Sequence, residues 1–391
     1  MTTAKIVIVG GGHAAAQLCI SLVDAGFGAD ITLISEEAVP PYQRPPLSKS
    51  FLKNATETVQ LLRGESWYGE HGICLKLCSQ VIAIDRAAKG IELSDGSRLN
   101  YDQLILATGA RARSFPGIPT DTVNAFSLRG KDDAQALQPM MGEPQDILVL
   151  GGGFIGLEFA ATAVAKGHRV VLLESAPRLM ARAVSPQLSE YALQVHRELG
   201  VEVQLGAMLG MPNIEGERFV GLDINGKFRK FSSVLSAIGA MPNQELASQC
   251  GLTCDNGILV DAHMRTSDPS ILAIGDCSRF ALSNKPWLPS TLRIESIQNA
   301  NDQAKTAAST LIGQPQPYHA LPWFWSEQGP ARFQMAGLLP LMITKTEVVQ
   351  GSSPGSQSWY HFDGDGKLAC VESVNCPADH MKAKKQLSAL W

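Results

Sequence analysis

The chain has 391 residues, of which 45% are apolar and 18% charged, with a formal net charge of −4. That composition supplies material for two or three buried cores and excludes a disordered or fibrous chain, and the lack of a long basic run makes nucleic acid a poor partner. Glycine, at 36 residues, exceeds its usual share, as expected of tight strand-to-helix turns in well-buried sheets.

Lys5-Ile-Val-Ile-Val9 reads as a buried strand that enters Gly10-Gly-Gly12 and an Ala-rich helix ending near Gly26. A strand and turn this early is not a signal peptide, and no run of 18 apolar residues offers a membrane span, so a cytoplasmic protein is expected. A second strand, Asp30-Ile-Thr-Leu-Ile-Ser-Glu36, ends in a carboxylate, and Tyr101 to Ala110 forms a third that closes on Ala107-Thr108-Gly109. The pattern is then written again. Asp146 to Leu150 leads into Gly151-Gly-Gly153 and a helix ending near Gly167; Arg169 to Glu174 ends in a carboxylate; Phe231 to Ala240 closes on Ala237-Ile238-Gly239. Ile271 to Asp276 adds a further strand, Gln298 to Leu311 has a helical look, and Gly313 to Pro317 reads as a linker. The tail, with Trp323, Trp325, a strand-like Leu341 to Thr344 and a turn at Gly364 to Gly366, reads as a smaller α+β domain. None of the eight cysteines forms a C-x-x-C and the histidines do not cluster, so no zinc, iron–sulfur or other metal site is expected.

The fold class is α/β, with two Rossmann-like dinucleotide units and a small C-terminal domain. Gly10-x-Gly12-x-x-Ala15, with His13 and Ala14 in the turn, sits between a strand and a helix, where glycine lets the backbone approach a pyrophosphate at the helix N-terminus. Glu36 would accept hydrogen bonds from a ribose. Gly151-x-Gly153-x-x-Gly156, with Phe154 and Ile155 in its turn, makes the same case with Glu174. A carboxylate there favours NADH over NADPH, although Arg178 is a residue that could accommodate a 2′-phosphate. The first unit is completed by the distant Gly275-Asp276 strand, which suits a fixed FAD; the second is self-contained, which suits an exchanging NADH. The expected boundaries are 1–113 with 240–318 for FAD, 114–239 for NADH, and 319–391 for the C-terminal domain.

Tyr42-Gln-Arg-Pro-Pro-Leu-Ser-Lys49, Gly151 to Glu158, Ala273 to Cys277, Arg293-Ile-Glu-Ser296 and Pro322-Trp-Phe-Trp-Ser326 give the chain its likeness to one family. Together they resemble the FAD-dependent, NADH-specific ferredoxin reductases of the putidaredoxin reductase type, the reductase components of bacterial Rieske oxygenase and haem-thiolate monooxygenase systems. The resemblance implies a glutathione-reductase-like fold, with Ala14, Glu36, Arg44, Lys49, Val81, Arg129, Asp276 and Ile297 at FAD. It further implies Glu158 at the nicotinamide end of NADH, Glu174 at its adenosine ribose, and Trp325 beside the flavin ring. Lys49 is the natural charge partner of reduced flavin, and Glu158 could pair with it. No cysteine stands between Pro40 and Lys49, where disulfide reductases of this architecture carry their dithiol. Electrons must therefore leave the flavin for something outside the chain, and a [2Fe–2S] ferredoxin, plant- or Rieske-type, that feeds a terminal oxygenase fits. Arg63, Arg293, Lys305 and Arg332 are candidate docking charges. Two positions depart from the family pattern: Glu327-Gln-Gly329 stands where Asp-Gln-Tyr is common, and Ile297 where an aromatic often stands. Reductases of rubredoxin, quinone or oxygen share the scaffold. So does an NADH-sensing flavoprotein like apoptosis-inducing factor, whose inserted C-terminal segments this short tail lacks.

Overall fold

The structure is a computed structural model that describes residues 4–54, 56–282 and 285–391. Its first sheet has five parallel strands in the order Ile271–Ala273, Gln103–Leu106, Lys5–Val9, Asp30–Ile34, Ile73–Lys76. The central strands are continuous apolar runs because helices or hairpins cover both faces of a parallel sheet. On one face lie the helices His13–Asp24 and Ile297–Leu311, sharing a core with Ile6 and Ile8. On the other, Val7, Val9 and Leu106 pack against an antiparallel meander, Val81–Asp85, Gly90–Leu93 and Arg98–Asn100.

The second sheet repeats this plan in the order Glu202–Leu205, Arg169–Glu174, Asp146–Leu150, Ser233–Ser236, Ala125–Phe126. Helices Phe154–Ala165 and Pro186–Glu198 pack on one face, and a second meander spanning Leu209 to Lys230 on the other. Ala110–Ala112 and Ala240–Pro242 pair antiparallel where the chain passes between the sheets, and Thr108 and Asn243 lock that crossing. The Thr108 hydroxyl donates to the Asn243 carbonyl at 2.6 Å, and Asn243 Nδ2 returns a bond to the Thr108 carbonyl at 2.8 Å.

The tail folds into a five-stranded antiparallel sheet with the helix Pro377–Ser388 against it. Phe333, Met335, Trp359 and Val374 of that sheet enter the core of the second unit. A buried carboxylate reinforces this joint: Glu372 accepts the Ser185 N–H at 2.9 Å, takes its hydroxyl as well, and lies 3.0 Å from His361 Nε2. Leu341 to Thr344 is a bend rather than a strand; strand begins at Lys345, and Leu341 and Met342 are 73% and 64% exposed. Their β-propensity finds no partner strand there, which is what a local pattern cannot foresee. Among the described residues no helix is long and apolar enough to cross a membrane, and no cluster of His, Cys, Asp or Glu is suited to a metal ion.

Candidate functional site: two glycine turns and a buried lysine–glutamate pair

The two repeated motifs of each half meet in space. A Cβ on Gly10 (φ +116°) would strike the Ala107 carbonyl, and one on Gly151 (φ +105°) would strike the Ala237 carbonyl. Each first glycine is therefore the tight turn against its own Ala-x-Gly segment, and Gly109 and Gly239 also take positive φ. Gly156 abuts the Gly151 carbonyl, the close helix-to-strand approach; in the first unit Ala15 sits fully buried at the matching position.

Gly12 and Gly153 are different. They are the N-caps of their helices, and neither cap supplies a side-chain acceptor. The first turns hold no acidic residue, and a Cβ at either glycine would face open space. Bare N-terminal amides at the positive end of a helix fit a pyrophosphate in both units. The helix at Ile297 contrasts with them: Ser296 caps it by accepting the Asn299 N–H at 3.1 Å, which leaves Ile297 half-buried at a closed end.

Around the first helix N-terminus the structure gathers His13, Arg44, Arg129 and Asp276. Arg129 bonds Asp276 Oδ2 at 2.5 Å and the Ala110 carbonyl at 2.8 Å, while Arg44 donates to the Arg129 carbonyl at 3.0 Å. His13 is buried, with Nε2 3.2 Å from Gln43 Oε1. Burial holds its pKa below the ordinary imidazole value, opposed by the Gln43 bond, and the charges of Arg44, Asp276 and Arg129 all act on it. Ala14 packs close to Gly275, and Val81 is in the core with Val9 and Ile34.

The carboxylates that close the two second strands are not equivalent. Gly10 N donates to the Ile34 carbonyl and Gly151 N to the Leu173 carbonyl, each at 2.8 Å. Glu174 therefore matches the buried Ser35, and Glu36 stands one residue later, exposed. Its neighbour Glu37 is occupied by Arg44 at 2.5 Å and the Tyr42 hydroxyl at 2.6 Å. Glu174 is held by two backbone amides, Gly152 and Ala176, both at 2.8 Å. Arg178 does not face this site. Its guanidinium donates to the carbonyls of Val184 and Ala181, both at 2.7 Å, and to Ser189 at 2.9 Å, so it anchors its own loop. That loop instead brings Arg182 beside Gly239, a position the spacing did not signal.

The centre of the molecule holds a buried ion pair. Lys49 Nζ lies 2.7 Å from Glu158 Oε2, with side-chain exposures of 20% and 5%. Glu158 accepts further bonds from the Ser48 hydroxyl at 2.5 Å, the Ser326 hydroxyl at 2.7 Å and the Glu327 N–H at 3.4 Å. The Pro-Pro-Leu-Ser-Lys and Trp-Phe-Trp-Ser segments thus meet on one carboxylate of the second-unit helix. Strand periodicity places Phe324 and Ser326 on that face, Phe324 packing on Phe154 at 4.6 Å, and turns Trp323 and Trp325 the other way. Trp325 is half-buried and stacks on Trp323 at 5.6 Å, with the Lys384 ammonium 4.0 Å over the Trp323 ring. Sequence reasoning named Lys49 and Glu158 but missed Ser48 and Ser326, whose residue type carries no signal outside the fold.

Of the candidate docking charges, Arg293 is excluded. It is 10% exposed, paired with Glu295 at 2.5 Å and bonded to the Asp276 carbonyl. Arg63, Lys305 and Arg332 are on the surface.

Two glycine-turn units meet at a lysine–carboxylate pair and are followed by an antiparallel third unit, and the chain belongs to the pyridine nucleotide-disulphide oxidoreductases. The family matches residues 4–304, and residues 323–390 match the reductase C-terminal family. The chain is 42% identical over 387 residues to rhodocoxin reductase of Rhodococcus erythropolis, covering 98% of this chain and 89% of that one. Among solved structures it is similar to the ferredoxin reductase for the CYP199A2 system from Rhodopseudomonas palustris. The TM-score is 0.93 at 38% identity, over 99% of this chain and 95% of that one. It also superposes on the reductase of a covalent putidaredoxin reductase–putidaredoxin complex, with TM-score 0.92 at 34% identity, over 100% and 94% of the two chains. The likeness to ferredoxin reductases read from the sequence holds over the full length.

Proposed function

We propose that this chain is a cytoplasmic NADH-dependent flavoprotein reductase, passing electrons through FAD to a [2Fe–2S] ferredoxin that feeds an oxygenase. FAD, when bound, takes up two electrons together and releases them singly, which is the chemistry that joins NADH to a one-electron carrier. Residues 1–113 with 240–318 form the FAD unit, 114–239 the NADH unit and 319–391 the C-terminal unit. Gly10, Gly12, Ala14 and the following amides hold the FAD pyrophosphate, Glu36 the ribose, and Arg44, Arg129 and Asp276 the surrounding polar wall. Lys49 places a cation at the flavin, and Glu158 fixes that cation at the nicotinamide end of the second unit. The observation that carries the reading is the buried Lys49–Glu158 pair at 2.7 Å, where the two units meet.

Preference for NADH follows from the second unit. Glu174, tied to Gly152 and Ala176, presents a carboxylate that accepts a ribose hydroxyl and repels a 2′-phosphate. Glu174→Ser is expected to narrow the ratio of kcat/KM for NADH over NADPH by at least about tenfold, the scale of one lost hydrogen bond and one lost charge repulsion. Arg178→Ala should leave that ratio unchanged and lower thermal stability, because its donors are spent on the loop.

The test of the reading is anaerobic. NADH should bleach the yellow protein, and cytochrome c reduction should rise when a [2Fe–2S] ferredoxin is added but not with rubredoxin or a quinone. Raising salt should slow the ferredoxin-dependent turnover and spare NADH-driven bleaching, because only the first depends on exposed charges such as Arg63, Lys305 and Arg332. A colourless protein, or one that added ferredoxin does not accelerate, would end the proposal.

A further inference from the structure

The junction at Glu158 continues deeper than the motifs that meet there. Ser326 gives its hydroxyl hydrogen to Glu158 Oε1 at 2.7 Å, and its oxygen accepts from Gln328 Nε2 at 3.2 Å. The remaining amide oxygen, Gln328 Oε1, can only accept, so His196 Nε2, 3.0 Å away, carries the ring hydrogen. Every hydrogen in the row points one way, from His196 through Gln328 and Ser326 to Glu158. All three side chains are 0% exposed, and the second hydrogen of Gln328 Nε2 is given to the Met180 sulfur at 3.7 Å, a weak acceptor. A buried row whose members have no alternative partner of comparable strength holds each of them in one rotamer.

On the other side of Glu158, donating back toward it, stands a lysine, and lysine needs such help. Its ammonium is a compact charge on a flexible four-carbon stem, placed only by what accepts from it. Here the acceptors are Glu158 Oε2 at 2.7 Å, the Pro45 carbonyl at 3.3 Å and Ser48 Oγ at 3.4 Å. The two longer contacts are weak, so the carboxylate decides where the charge sits.

We propose that Ser326, backed by Gln328 and His196, is a positioning residue for electron uptake from NADH: it fixes the Glu158 carboxylate, which in turn fixes the Lys49 ammonium. The assignment rests on the functional reading above, since it presumes FAD beside Lys49. The strand Trp323–Gln328 then has two roles on its two faces, Trp323 and Trp325 on one and the row of Ser326 and Gln328 on the other.

Ser326→Ala is expected to slow NADH-driven bleaching about tenfold, the equivalent of one hydrogen bond to a charged group. KM for NADH should stay within about twofold, since Ser326 is 0% exposed and offers a substrate no surface to bind. Ser326→Thr, which keeps the hydroxyl, should restore most of the rate. The midpoint potential of the bound FAD, titrated without NADH, should move to more negative values in Ser326→Ala, a shift that a merely structural defect would not produce. Gln328→Met leaves Ser326 in place and approximates the lost bulk; it should slow reduction on its own and add nothing in the Ser326→Ala background, because the two act in series. If the unaltered protein takes up no FAD or is not reduced by NADH, the functional reading fails first. If that protein behaves normally while Ser326→Ala keeps its rate and potential, or Gln328→Met adds to it in full, the positioning role is overturned.

Discussion

Lys49→Met is expected to slow the anaerobic bleaching of bound FAD by NADH by about 10²- to 10³-fold, the scale on which removing one preorganised charge at a reacting centre acts. The reasoning starts from burial. Lys49 is the cation paired with a carboxylate only 5% exposed, and methionine matches its length but carries no charge. The change also leaves Glu158 as a buried anion with only neutral donors, Ser48, Ser326 and the Glu327 amide, which costs about 3–5 kcal/mol of stability. The two effects are separable. Adding Glu158→Gln to Lys49→Met should return most of the stability, because the uncompensated charge is gone, and none of the rate, because the cation is still missing. Stopped-flow absorbance at the flavin band measures the rate, and thermal unfolding measures the stability. A rate unchanged in Lys49→Met would remove the lysine from the mechanism whatever happens to the melting temperature.

The second large effect concerns the two N-cap glycines. Gly12→Val and Gly153→Val both add a branched side chain whose Cβ meets no atom within 4 Å outside the adjoining residues. Neither glycine needs positive φ: their values are −97° and −84°. The fold should therefore survive both changes, with melting temperatures of the unliganded chains within a few degrees of the parent. Binding should not survive, because the side chain stands where a pyrophosphate must approach the bare helix amides. Gly12→Val should purify colourless and take up no added FAD. Gly153→Val should purify yellow, be bleached by dithionite, and resist bleaching by NADH at concentrations that saturate the parent. The contrast between the two tests the division of labour between the halves. Identical phenotypes would refute it, and a yellow, NADH-responsive Gly12→Val protein would refute the first site altogether. Gly10 and Gly151 are poorer probes, since a Cβ there meets the chain's own carbonyls and confounds folding with binding.

What could be read along the chain was what acts over a few residues. The strand, turn and helix of each half are local patterns, and the need for Gly10 and Gly151 is a matter of φ and of one nearby carbonyl. The alternation in Trp323 to Gln328 is likewise local. Where the reading departed from the structure, the missing information was register or packing. Glu36 and Glu174 look like counterparts as strand-ending carboxylates, yet the strand hydrogen bonds set Glu174 against Ser35. Arg178 has the spacing of a phosphate ligand, but the carbonyls of Ala181 and Val184 claim it first. Arg293 has the charge of a docking residue and is buried against Glu295. The two antiparallel meanders were silent because strands such as Val81–Asp85, buried mainly at one residue, show little periodicity.

The amino-acid sequence by itself determined that this protein has two dinucleotide turns, where each lies, and that no dithiol stands between Pro40 and Lys49 to take electrons from the first. Only the tertiary structure decided what surrounds Glu158. Ser48 and Ser326 reach it from 110 and 168 residues away, and serine and glutamine announce nothing until packing removes their water. A backbone conformation is required by neighbours in the chain, whereas a hydrogen-bond partner for a buried carboxylate is chosen by whichever segments the fold presses against it.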